Sequence, residues 1–145
     1  MVDLDLLSAK LAELSDRIAR IKSHRGGDAG VLRRNRDALD LVSFNLMLAV
    51  QICADISSHL IADEGWVAAK TLAEGFTRAR EHQVIDEPTA EALCRAVGLR
   101  NVVAHGYAGI DVELVHRAAT DGMQDLERFA KQVARWARDR AAGSL

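Results

Sequence analysis

The stretch VLRRNRDALDLVSFNLMLAVQICADISSHLIA, from about Val31 to Ala62, decides the fold class. Ala38, Leu41, Asn45, Leu48, Ile52, Asp55, Ile56 and His59 recur at steps of three and four, the spacing of one helix face. Most of that face is apolar, so Asn45, Asp55 and His59 stand out. A carboxylate turned toward a helical core is costly unless it is paired. Asp55 and His59 are one turn apart and can meet each other. Each of the three also fits a satisfied structural role. Arg33-Arg34-Asn35-Arg36 opens the stretch. Cations there oppose the helix dipole, which leaves a solvated face or a phosphate partner as readings.

The flanking segments carry the same periodicity. Leu4, Leu7, Leu11, Leu14, Ile18 and Ile21 make an amphipathic helix from about Asp3 to Lys22, with Asp3 and Asp5 at its start. His24 to Gly30 is a glycine-rich turn, and no strand precedes it as a phosphate loop requires. A third helix is expected from Trp66 to about His82, with Val67, Leu72 and Phe76 inward. A fourth opens with Asp86 as cap and Pro88 in its first turn. Ala90, Leu93, Val97 and Ala104 mark its core side, and Gly98 can admit another helix closely. Gly106 ends it as a left-handed C-terminal glycine. The fifth is capped by Asp111 and reaches about Ala141, with Gly122 as a bend or close contact. The expected fold is an all-α, up-and-down bundle of about five helices, one domain over residues 1–145.

Composition narrows the function classes. Charged residues make up 28% of the chain, which on this reading rules out a membrane span, and 49% hydrophobic content suits a globular core. The net charge of −2 lacks the basic signature of a nucleic-acid binder, so any RNA contact must be local. Cys53 and Cys94 lie in apolar helical patterns without metal-ligand spacing, which fits free thiols in a reducing cytoplasm. The N-terminus lacks the basic start and unbroken apolar core of a signal peptide.

Arg100-Asn101-Val102-Val103-Ala104-His105-Gly106-Tyr107 crowds a permanent cation, an amide, an imidazole and a phenol between apolar residues. Arginine can fork a phosphate and stabilise a pentacovalent transition state. An imidazole titrating near neutrality can take the proton of a ribose 2′-hydroxyl or give one to the leaving oxygen. That chemistry cleaves RNA without a metal and spares DNA. The spacing is awkward, because five residues of helix are about 140° of rotation and about 7.5 Å of rise. Either the glycine end swings His105 around, or two copies of the helix pool their residues across a two-fold axis. Arg and His in a last turn are also ordinary helix-ending residues that satisfy carbonyls.

This motif, spelled RNVVAHGY, resembles that of the HEPN superfamily of small helical ribonucleases, and within it the HepT-like toxins. NLMLAVQICADISSHLI (Asn45 to Ile61), with Asp55 at an acidic position, GWVAAKTLAEGF and GIDVELVHRAATDGMQDLERFAKQV are similar to that family's helices, so the likeness runs from about Asp3 to Ala137. The resemblance implies a homodimer whose interface cleft holds Arg100 and His105 as catalytic residues, with Asn101 and Asp55 in support. It implies a cytoplasmic endoribonuclease toxin acting on RNA with no metal and no cofactor. It further implies a minimal nucleotidyltransferase (MntA-like) antitoxin as partner, which transfers AMP to Tyr107. The alternative is a non-catalytic module that docks such a nucleotidyltransferase or binds a nucleotide.

Overall fold

The computed structural model describes residues 2–105 and 109–143, with side chains at all of these except Ala104 and His105. The helices are α1 (Leu4–His24), α2 (Ala29–Arg34), α3 (Arg36–Glu64), α4 (Leu72–Glu81), α5 (Glu87–His105) and α6 (Val112–Gly143). α3 is the axis of the bundle, and α1, α4, α5 and α6 all pack on it. Its Val42, Leu46, Ala49, Cys53, Ile56 and Leu60 are buried in one apolar core with Leu14 and Ile21 of α1, Phe76 of α4, Leu93 of α5 and Phe129 and Val133 of α6. Phe76 and Phe129 meet edge to face, ring centroids 5.9 Å apart, with neither exposed.

Side-chain ties give the directions. Asp3 N–H donates to Asp63 and Arg17 donates to Asn45, so α1 runs antiparallel to α3. Arg33 pairs with Glu113 and Arg140 with Glu64, so α6 runs parallel to α3. Arg25 Nη1 closes the base by donating to the Ala119 carbonyl at 2.8 Å. At the other end Trp66 stacks on His82 (3.9 Å, 2°) and meets the edge of Trp136, tying the segment after α3 and the end of α4 to α6.

The expected all-helical bundle is present, with three local differences. First, the long second segment is two helices. Asn35 adopts an extended conformation and its Oδ1 accepts from Ala38 N–H, which caps α3 and separates α2 from it. Arg33 and Arg34 therefore end α2, where cations favour the dipole. Arg33 pairs with Glu113 and Arg36 with Asp40, so these arginines have carboxylate partners. Second, residues 66–71 are not helical, and Val67 is 74% exposed rather than inward. Thr71 Oγ1 accepts from Glu74 N–H while the Glu74 carboxylate accepts from Lys70 N–H, so α4 begins only at Leu72. Third, a side chain at Gly98 would meet nothing within 4 Å, and one at Gly122 only its own helix's Ala118. Neither glycine marks a close helix contact among the described residues.

The expected caps at Asp86 and Asp111 are made, and Asp3, expected only as an acidic residue at the helix start, also caps; each accepts from the N–H three residues on. The helix end at Gly106 lies outside the described residues. Both cysteines are free, and burial pushes the Cys53 thiol far up from its ordinary value. The chain-wide charge content hid one feature. α3 by itself is long and apolar enough to cross a membrane, but most of its apolar stretch is buried against the other helices, as in a core helix.

Candidate active site

Arg100 lies one turn before the end of α5, half-buried, on the side that faces α3. Its Nη2 donates to Gln51 Oε1 on α3 at 3.1 Å, and its Nη1 donates to Asn101 Oδ1 at 3.0 Å. Both partners are neutral. Nε is enclosed and has no acceptor among the described residues. A guanidinium held by neutral oxygens keeps its whole positive charge for a further anion.

Behind Gln51 the chain of contacts continues. Gln51 Nε2 donates to Asp55 Oδ1 at 3.0 Å, one turn further along α3. Asp55 Oδ2 faces Lys10 Nζ of α1 at 3.7 Å. Asn101, Arg100, Gln51, Asp55 and Lys10 thus form one line across α5, α3 and α1. Of the expected residues, Arg100, Asn101 and Asp55 are brought together, the last through Gln51. Asp55 pairs with Lys10 and Gln51 rather than with His59, which is exposed. Asn45 is structural: only 3% exposed, it donates to the Leu41 carbonyl and accepts from Arg17.

α5 stays helical through His105, so the backbone keeps the rotation of about 140° between positions 100 and 105. The His105 side chain and Tyr107 lie outside the described residues. Gln51 and Lys10 were missed by sequence reasoning. The pair Gln51 and Asp55 at a separation of four was a visible signal, but Arg100 is 49 residues away and Lys10 is on another helix.

Some apolar residues of α3 and α5 are exposed in the single chain. Val102 is 55% exposed and Phe44, two turns before Gln51 on α3, is 49% exposed. Gly98, one turn before Val102, presents bare backbone.

The bundle thus sets Arg100, with no carboxylate partner among the described residues, near the end of its penultimate helix. The tri-AMPylated HEPN toxin of Shewanella oneidensis, solved in complex with an MNT antitoxin, superposes with a TM-score of 0.82 at 25% identity, covering 92% of this chain and 98% of that one. The mRNA nuclease HepT of Shewanella oneidensis is 26% identical over 125 residues, 86% of this chain and 93% of that protein. An Archaeoglobus fulgidus protein, provisionally described as an RNase, is 35% identical over 105 residues, 70% of this chain and 75% of its own length. Residues 14–133 match the model of the ribonuclease HepT-like family, and the chain belongs to that family.

Proposed function

We propose that this chain is the ribonuclease toxin of a toxin–antitoxin pair and cleaves RNA through Arg100 and His105 in a cleft shared by two copies. The observation that carries the reading is the half-buried Arg100 guanidinium, held by two neutral oxygens and without a carboxylate partner among the described residues. It binds the scissile phosphate and stabilises the charge that builds on it. His105 takes the proton of the ribose 2′-hydroxyl as that oxygen attacks phosphorus, the bond from phosphorus to the 5′-oxygen breaks, and the imidazolium so formed returns the proton to the departing 5′-oxygen. The products are a cyclic phosphate and a free 5′-hydroxyl, and no metal is required.

Helical backbone through His105 favours pooling across a two-fold axis, because one regular helix sets positions 100 and 105 on different faces. Val102 and the bare Gly98, one turn apart on α5, would offer the second copy an apolar position and a close approach, and the exposed Phe44 of α3 a further apolar side chain. A nucleotidyltransferase antitoxin would silence the toxin by transferring AMP to Tyr107. The phenol oxygen would attack the α-phosphorus of ATP, with loss of its proton and of pyrophosphate. The added anion would repel RNA phosphates two residues from His105.

The test is RNA digestion by the chain purified without any partner. Wild type cleaves, and His105→Ala and Arg100→Ala remain folded dimers that do not. Cleavage by His105→Ala at the wild-type rate would overturn the mechanism. Incubation with the cognate nucleotidyltransferase and ATP adds AMP-sized mass to Tyr107 and none to Tyr107→Phe.

A further inference from the structure

We infer that Gln51 is a positioning residue for Arg100, and that it keeps a neutral amide between the Arg100 cation and the Asp55 carboxylate. The inference rests on the proposed role of Arg100 in binding phosphate.

Gln51 stands between two charged groups that each demand one polarity. A guanidinium only donates, and an ionised carboxylate only accepts. The amide must therefore turn Oε1 toward Arg100 and Nε2 toward Asp55, and both contacts have good lengths, 3.1 and 3.0 Å. The reversed amide would set donor against donor and acceptor against acceptor. Lys10 Nζ lies 3.7 Å from Asp55 Oδ2, the oxygen that Gln51 does not use, so Oδ1 stays free to accept from Gln51. The line thus anchors a long, flexible arginine on α5 to the central helix α3. Side-chain freedom lost before RNA arrives is not lost again on binding.

The type of residue matters as much as its reach. A carboxylate at position 51 would give Arg100 an ion pair within the chain and cancel the charge offered to RNA. Glutamine fixes the same geometry and leaves the charge intact. Asp55 thereby acquires a role: it orients the amide of Gln51 and does not meet Arg100 directly.

The two functions of Gln51 separate in two nearly isosteric variants. Gln51→Glu keeps an acceptor against Arg100 but neutralises it. Its KM for a single-stranded RNA should rise by about tenfold or more. The slope of log affinity against log salt should also shrink by about 0.7, the share of one phosphate contact. Gln51→Met keeps the Arg100 charge but loses the anchor. Its salt slope should stay at the wild-type value while kcat falls about tenfold. Circular dichroism and sedimentation of both variants report fold and assembly, and Gln51→Met alone suffices for the test if Gln51→Glu does not fold. Wild-type KM, kcat and salt slope in the variants, with Arg100→Ala inactive, would refute the role of Gln51 and leave the nuclease reading standing. Full activity in Arg100→Ala would remove that reading and the role of Gln51 with it.

Discussion

Replacing Arg100 by lysine keeps the charge and removes the fork, which isolates what the geometry of the guanidinium contributes. In the structure two different nitrogens are engaged, Nη2 with Gln51 at 3.1 Å and Nη1 with Asn101 at 3.0 Å. An ammonium is a point charge with no planar fork, so lysine gives up at least one of these contacts or the phosphate itself. A hydrogen bond made by a charged group contributes about 1.5–3 kcal/mol, which corresponds to about tenfold to a hundredfold in the population of the ordered side chain. Arg100→Lys is therefore expected to lower kcat by that factor. The salt dependence of RNA binding should not change, because the phosphate still meets one cation. Single-turnover cleavage of an end-labelled RNA at several salt concentrations measures both quantities. A kcat within about threefold of wild type would show that a point charge suffices and that the two anchors have no part in catalysis.

Three further outcomes follow from the fold. Phe129→Ala removes one ring of the unexposed Phe76–Phe129 pair and should cost about 3–5 kcal/mol, read as a fall in the urea midpoint and in Tm. Thr71→Ala removes the cap that fixes the late start of α4 and should cost about 1 kcal/mol, with faster hydrogen exchange at the Glu74 amide. Asp86 is held below its ordinary value chiefly by the Thr89 side chain and backbone N–H, with help from Gln132. Glu74 is lowered chiefly by its bond to the Lys70 backbone. A carboxylate lowered in the folded state stabilises above its unfolded pKa and loses that contribution as pH falls through the folded value. These two contributions should be complete at neutral pH and fade below about pH 4. Urea titrations at the two pH values should show a smaller acid loss in Asp86→Asn than in wild type.

The helices were legible because their periodicity is local. Leu7, Leu14, Ile18 and Ile21 needed no partner to declare a stripe, and all four are buried. Asp3, Asp86 and Asp111 announced their helices in the same local way. The break at Asn35 was missed because arginines and alanine continue a helical pattern on both sides of it. The late start of α4 did carry a signal: Thr71-Leu-Ala-Glu74 has the spacing of a capping box. It was overridden by Val67, whose hydrophobicity suggested an inward face five residues before Leu72. The site was legible only where its residues are neighbours in sequence. Arg100 and Asn101 could be read together. The pairing of Asp55 could not, because His59 is its neighbour along the helix and Lys10 is its neighbour in space.

The stack of Trp66 on His82, with Trp136 at its edge, gathers both tryptophans of the chain into one cluster. That makes the protein's tryptophan emission, excited at a wavelength that Tyr107 does not absorb, a report from a single place. The cluster joins the segment after α3, the end of α4 and the latter part of α6, and it shares no residue with the line from Lys10 to Asn101. Intrinsic fluorescence will therefore follow the docking of α6 while remaining silent to local changes at Arg100. Loss of RNA cleavage with an unaltered emission spectrum would mark damage at the site, and loss of both would mark damage to the bundle.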